Sequence, residues 1–204
     1  MKHFGKILGG LILASGAALA APQYPGDDKM AVPADYRDWV FLTSSLDLNY
    51  STASEPGPGR MHMLDNVFVN PAAYKSFLAT GTWPDGTMLV KENRRAQTEG
   101  SINKSGQFQT TETMGIEIHV KDAGHFPDQW AFFAFGDALK PAAMIPQAAS
   151  CYSCHAAHAA VDRTFVQFYP TLLPIATAKG TLSDGYKQDE SSRAKAAAPS
   201  HGAG

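Results

Sequence analysis

The sequence predicts an α+β fold, mainly an antiparallel β-sheet with a few helices. Three observations point there. Five segments rich in β-branched and aromatic residues are bounded by Gly, Pro, Asn and Asp turns. Most of their connections are short, and neighbouring strands joined that way usually pair antiparallel. Beyond Pro141 the apolar period changes from that of a strand to that of a helix.

The chain opens with a basic start, Lys2, His3 and Lys6, then an apolar, small-residue run over 7–19. Ala18-Leu19-Ala20 supplies an A-x-A cleavage site, so residues 1–20 read as a signal peptide cut after Ala20. The run is too short to span a bilayer comfortably, and no other stretch is apolar enough to try. The first strand covers 39–45, followed by a Ser-, Pro- and Gly-rich loop over 50–60 and a second strand over 61–69. Asn70 can cap a helix with Pro71 in its first turn, ending near Gly81. Trp83-Pro84-Asp85-Gly86 is a turn, and strands follow over 87–94, 107–121 and 130–136.

Alternation assigns the faces. On the third strand Thr87, Leu89 and Lys91 share one side, with Met88, Val90 and Glu92 on the other. On the fourth, Met114, Ile116, Ile118 and Val120 form an apolar face opposite Gly115, Glu117 and His119. Val161, Phe165, Phe168 and Leu172 then recur at helical spacing until Pro174 stops the run. From Gly180 the chain is polar and small, and residues 180–204 read as a disordered tail in which His201 is not a ligand. What remains, residues 21–179, is the size of a single domain. The formal net charge of −2 is made of interspersed signs, which excludes a basic stripe for nucleic acid or a polybasic membrane patch.

Cys151-Tyr152-Ser153-Cys154-His155 carries the chemistry. C-x-x-C-H is the attachment site of a c-type haem. Two thiols on an opening helical turn can add to the two vinyl groups of one haem. The next residue, His155, can then bind the iron from the proximal side. These are the chain's only two cysteines. The competing readings are a structural disulfide or a thioredoxin-like redox pair. The latter belongs between a strand and a helix of a βαβ unit and has no need of the following His.

A second axial Met or His would make an electron-transfer centre, whereas an open position admits a small molecule. No Met follows Cys154. His158 faces the same way as His155 on a helix and cannot reach the opposite side of the ring. A distal ligand would come from Met61, His62, Met63, Met88, Met114 or His119, none marked out by its neighbours. Met at such positions is more often core filler, and His119 and His125 are more often surface or capped residues. Open coordination is the better reading.

The assembled residues resemble the cytochrome P-460 family. The resemblance runs through YRDWVF (36–41), VFVNPAAY (67–74), WPDGTMLVKE (83–92), GIEIHVKD (115–122), WAFFAFG (130–136), CYSCH and FVQFYP (165–170). It implies a mostly antiparallel β fold with a C-terminal haem-attachment motif, usually a homodimer, carrying one five-coordinate c-type haem. Members similar to this chain oxidise hydroxylamine, with NO chemistry, to nitrogen oxides. A sister group, cytochrome c′-beta, shares the fold and binds gases such as NO in an apolar distal pocket.

The family also implies roles for particular residues. Its oxidising members bond a lysine nitrogen to a meso carbon of the porphyrin from a D-G-T-x-x-V-K-E stretch. Here that stretch is Asp85 to Glu92, so Lys91 takes the cross-linking position. A lysine in a strand is usually a solvated charge, but a desolvated one holds more of the free amine that bond formation needs. Glu117 falls on the distal acidic position, where a carboxylate can act as general base for a substrate that sheds protons. The family's distal arginine is replaced by Asp65, which removes a cation from the pocket.

These expectations amount to an exported, periplasmic mono-haem cytochrome with Cys151, Cys154 and Lys91 on the haem and His155 on the iron. Lys91 and Glu117 serve hydroxylamine oxidation, and an exported carrier such as a small c-type cytochrome takes the electrons. A non-catalytic NO-binding protein and a simple electron carrier remain the alternatives.

Overall fold

The third strand carries apolar residues on both faces, Leu89 on one and Met88 and Val90 on the other, so the sheet has to be covered on both sides. A computed structural model describes residues 22, 24, 29–50, 61–136 and 140–197. The segment read as a signal peptide, most of the 50–60 loop, and His201 lie outside the described residues. Two-residue strands β1 (Lys29–Met30) and β7 (Ala142–Ala143) pair with each other. Between them lie β2 (Val40–Leu46), β3 (Met63–Val69), β4 (Met88–Gln97), β5 (Phe108–Lys121) and β6 (Trp130–Phe135). They form one sheet in the order β2-β3-β4-β5-β6, antiparallel at every step. All five expected strands are present. The pair β1 and β7 is too short to leave a periodic signal in the sequence.

One face carries Val90, Ile118 and Phe133 in register, packed with Met30, Tyr36 and Phe126. The other carries Val67, Val69 and Leu89 against Phe77, Trp83, Val161, Leu172 and Ala176. Met114 does not join the apolar face expected for it. It falls at the register shift between the Asn93–Gly115 and Arg94–Thr113 pairs and lies outside both clusters.

Helix α1 (Pro71–Thr80) starts at a proline, whose missing N–H costs nothing in the first turn. Gly81 ends it in the left-handed region at φ 77°, a conformation that a side chain disfavours. Asn70 precedes the helix as expected, but its side chain does not cap it. Instead Asn70 Nδ2 donates to the Gly86 carbonyl at 3.1 Å, and its Oδ1 accepts from the Met88 amide at 2.9 Å. The residue therefore ties the helix to the start of β4.

Helix α2 (Ser150–His158) carries the Cys-x-x-Cys-His motif. The helical run expected through 161–172 is not one helix. Asp162 and Arg163 have φ of 47° and 60°, which breaks any helix there, and only a short 3-10 turn follows at Val166–Phe168. Pro174 does not stop a helix but opens one, α3 (Leu173–Lys179), from a first-turn position.

The expected disorder from residue 180 is corrected over α4 (Asp184–Ala197), which is helical although none of its residues is buried. Composition missed it because its anchors are local. Leu182 and Tyr186 pack against the core, and Ser183 Oγ donates to the Ala159 carbonyl at 2.7 Å. His158 Nδ1 pairs with Asp189 Oδ2 at 2.7 Å, and a Cβ on Gly185 would lie 2.0 Å from the Ala157 carbonyl oxygen. Only glycine allows α4 to approach the end of α2 so closely. No described helix is long and apolar enough to cross a membrane.

Glu92, adjacent to Lys91, points to the face opposite the candidate site. Its Oε1 accepts from Tyr36 Oη at 2.9 Å, Arg37 Nη2 at 2.5 Å and Arg94 Nη2 at 2.7 Å. Burial acts to raise its carboxyl, but those hydrogen bonds overcome it and hold the group below the usual carboxylate range. Its stabilisation is therefore complete above the ordinary glutamate value and is lost as pH falls through the lowered one. Glu92→Ala should cost roughly 2–3 kcal/mol in urea unfolding at pH 7, at the low end for a broken buried pair because Arg37 is half exposed. The cost should shrink in acid. A cost that is the same at pH 7 and pH 3 would show that the carboxylate is not what holds these donors.

Candidate functional site

Strand register assembles one wall of the site. On the face away from Glu92, Val67, Lys91 and Glu117 are successive cross-strand partners. Leu89, His119 and Phe132 form the next row, and Asp65 and Asn93 the row before it. The opposite wall comes from α2 and the segment after it. Between them lies a cavity of about 620 Å³, within the usual range for cofactor pockets of roughly 300–1,000 Å³. Cys151, Cys154, His155 and Phe165 line it from one side, and Asp65, Lys91, Glu117, His119 and Phe132 from the other.

Helix α2 is fixed to the sheet by Tyr152, whose hydroxyl accepts from the Phe132 amide at 3.2 Å and donates to the Ile145 carbonyl at 2.9 Å. The helix places Cys151 and Cys154 one turn apart on one face, both as free thiols. Burial pushes the Cys151 thiol up, the opposite of what activates a redox cysteine at a helix start. The sheet is antiparallel throughout, so the motif does not sit in a βαβ unit either.

His155 Nδ1 lies 2.8 Å from the Arg163 carbonyl. A carbonyl only accepts, so Nδ1 carries the hydrogen and Nε2 keeps its lone pair. Burial pulls the imidazole below the ordinary histidine range, partly offset by that hydrogen bond. The carbonyl is held by a turn in which Asp162 and Arg163 are both left-handed and Val161 bridges to Thr164. Lys121 Nζ donates to Asp162 Oδ2 at 2.5 Å and Trp130 Nε1 to Asp162 Oδ1 at 3.3 Å. On the other side Trp83 Nε1 donates to Thr164 Oγ1 at 2.7 Å. Two thiols and an oriented imidazole lone pair beside apolar walls form the donor set that could hold a c-type haem.

The two residues flagged for chemistry meet: Lys91 Nζ lies 3.0 Å from Glu117 Oε2. Asn93 Nδ2 donates to Glu117 Oε1 at 3.2 Å. Asp65 also lines the cavity, where burial raises its carboxyl and the neighbouring Lys91 opposes that rise. His119 departs from the surface role expected of it. It is buried, stacked on Phe132 at 3.9 Å between ring centroids, and 5.1 Å from the His155 ring. Burial, with His155 and Arg163 nearby, keeps it well below the usual histidine range. Alternation already put it two residues from Glu117 on the same face; only its burial was invisible.

The other distal candidates are dispersed. Met61, Met63 and Met114 line a separate cavity, His62 pairs with Asp47, and Met88 is buried on the opposite face. Among the described residues no methionine lines the main cavity. His158 pairs with Asp189, and His125 stacks on Tyr24 at 4.3 Å, neither lining the cavity.

The family model described as Cytochrome P460 matches residues 33–166. No curated protein matches the chain.

The pinned turn behind His155 generates a prediction. Thr164→Val would leave the buried Trp83 N–H without its acceptor and remove the bond from Thr164 Oγ1 to the Val161 carbonyl. The expected loss is about 1–3 kcal/mol, read by urea unfolding. A loss well under that range would mean that the turn is not held from this side.

Proposed function

Because this chain belongs to the cytochrome P460 family, a family of haem-binding cytochromes, we propose that it is an exported mono-haem c-type cytochrome that oxidises hydroxylamine to nitrogen oxides. The observation that carries the reading is the pairing of Lys91 with Glu117 on the wall of the cavity that Cys151, Cys154 and His155 also line. In this reading the two thiols form the thioethers and His155 Nε2 binds the iron. When bound, the haem supplies a redox-active iron with one position open to a small ligand. Among the described residues no methionine lines the cavity, and His119, which does, lies only 5.1 Å from the His155 ring and so on its side; both support that open position.

The protein's own groups then have distinct work. The Arg163 carbonyl fixes the His155 tautomer and ring orientation. Phe132 and Phe165 pack on the His155 ring, at 4.7 and 4.1 Å between centroids, and would keep water from that side of the cavity. Glu117 accepts protons as hydroxylamine gives them up together with its electrons. Lys91 is the residue that would be joined to the porphyrin. The N–C bond would replace one N–H and one ring C–H and so would need a two-electron oxidant such as a peroxide; Glu117, 3.0 Å from the amine, would take up its proton. An exported carrier, such as a small c-type cytochrome, takes the electrons, and the functional unit is a homodimer in the periplasm. The competing reading, a gas-binding protein like cytochrome c′-beta, draws on the apolar part of the same cavity and needs neither Lys91 nor Glu117.

Attachment is tested first. In a pyridine haemochrome assay after acid extraction, haem should stay with the wild-type protein. It should leave with the solvent once Cys151 and Cys154 are both replaced by Ala. Haem extracted from the wild type would end the c-type reading.

Function is tested by steady-state turnover with hydroxylamine and an artificial acceptor. Glu117→Gln should lower kcat/KM roughly 100-fold or more, as expected for a lost general base. Lys91→Ala should keep its haem, lose the red-shifted ferrous Soret band and lose most turnover. Wild-type protein that binds NO tightly without turning over hydroxylamine, and that yields a free Lys91 peptide by mass spectrometry, would hand the assignment to the gas-binding reading.

A further inference from the structure

Beside the proposed haem cavity, two buried acceptor oxygens have no donor. Asp65 and Asn93 are direct cross-strand partners on β3 and β4, only 6% and 8% exposed. Neither Asp65 Oδ1 nor Asn93 Oδ1 has a hydrogen-bond partner among the described residues. Folded proteins leave few such atoms, so two in adjacent positions require an explanation. Asn93 cannot relieve the deficit by turning its amide. Its Nδ2 donates to Glu117 Oε1 at 3.2 Å, and reversal would set its oxygen against a carboxylate.

The cations on the same sheet face are already paired, Lys91 with Glu117 and Arg95 with Glu112. This end of the cavity therefore offers Asp65 and Glu117 as acceptors, with Asn93 bonded to Glu117. A site built of buried acceptors discriminates strongly against ligands that cannot donate, because those leave its oxygens unpaired.

Resting on the haem site proposed above, we infer that Asp65, backed by Asn93, is the specificity-determining residue of the cavity. It selects small ligands rich in N–H and O–H donors, such as hydroxylamine and hydrazine, and turns away anions such as azide and nitrite. Asp65 acts by accepting a hydrogen bond and by its negative charge. Asn93 pairs with Asp65 across the strands and holds Glu117 in place through its amide.

Equilibrium titration of the ferric holoprotein at pH 7.5, read from the Soret band, tests this without turnover. Hydroxylamine and azide are the two probes, and covalent haem content is measured beforehand. Asp65→Asn, which keeps the shape and removes the charge, should tighten azide about tenfold, equivalent to about 1.4 kcal/mol. The same change should leave hydroxylamine unchanged or weaker. Asn93→Asp should move the azide affinity in the opposite direction, which gives a second reading should Asp65→Asn fold poorly. Azide affinity unchanged in both variants, or both ligands shifted by the same factor, would overturn the inference. Wild-type protein that prefers hydroxylamine yet shows no hydroxylamine turnover would keep this selectivity while removing the oxidase reading.

Discussion

The hydrogen bond from His155 to the Arg163 carbonyl is the constraint on which the rest of the site depends. An imidazole on an exposed helical turn has two nitrogens and free rotation, so it is a poor ligand until one nitrogen is committed. Here the commitment is made by main chain, at 2.8 Å, from a turn that doubles back on the helix. Two consecutive left-handed residues, neither a glycine, make that turn unfavourable by itself. It persists because Lys121, Trp130 and Trp83 hold it from separate parts of the fold. The sheet thus orients the imidazole through a turn that it does not contain.

Much of this was legible in the sequence, for identifiable reasons. Strand alternation has a period of two, so the faces of Leu89, Lys91, Glu117 and His119 could be assigned without coordinates. Cross-strand register then turned two separately named residues, Lys91 and Glu117, into a contact pair. Pro174 and the run before it were misread because periodicity carries no information about φ. The left-handed Asp162 and Arg163 interrupt a pattern that their apolar neighbours continue. The helix Asp184–Ala197 was missed for the opposite reason: its residues are polar all round, and its anchoring lies in Leu182, Ser183, Gly185 and Tyr186. The burial of His119 depends on Phe132 and Trp130 from the next strand, which no local window contains.

Consecutive residues of β4 show how one strand separates structural from chemical work. Glu92 and Lys91 differ by one position and therefore by one face. On Glu92's face three donors converge on a single carboxylate oxygen, leaving that charge satisfied and the helical turn at Tyr36 tied to the sheet. On Lys91's face the polar groups are under-supplied with donors: Glu117 shares Lys91 and Asn93, while Asp65 Oδ1 and Asn93 Oδ1 receive none. A saturated carboxylate stabilises the fold and has no capacity left for a ligand. An unsaturated one lowers stability and is available to a substrate.

That asymmetry bears on the choice between an oxidising and a gas-binding protein. A pocket for a neutral diatomic gas gains nothing from buried, unsatisfied acceptors, and apolar side chains at Asp65 and Asn93 would make it more stable. The chain instead places acceptor oxygens at both positions, next to a carboxylate that can take up a proton. Such an arrangement gives selective advantage only to a ligand that arrives with hydrogens to donate and to lose. Hydroxylamine has both, whereas NO has neither, and this polar cost therefore favours the proposed proton-coupled oxidation over the gas-binding reading.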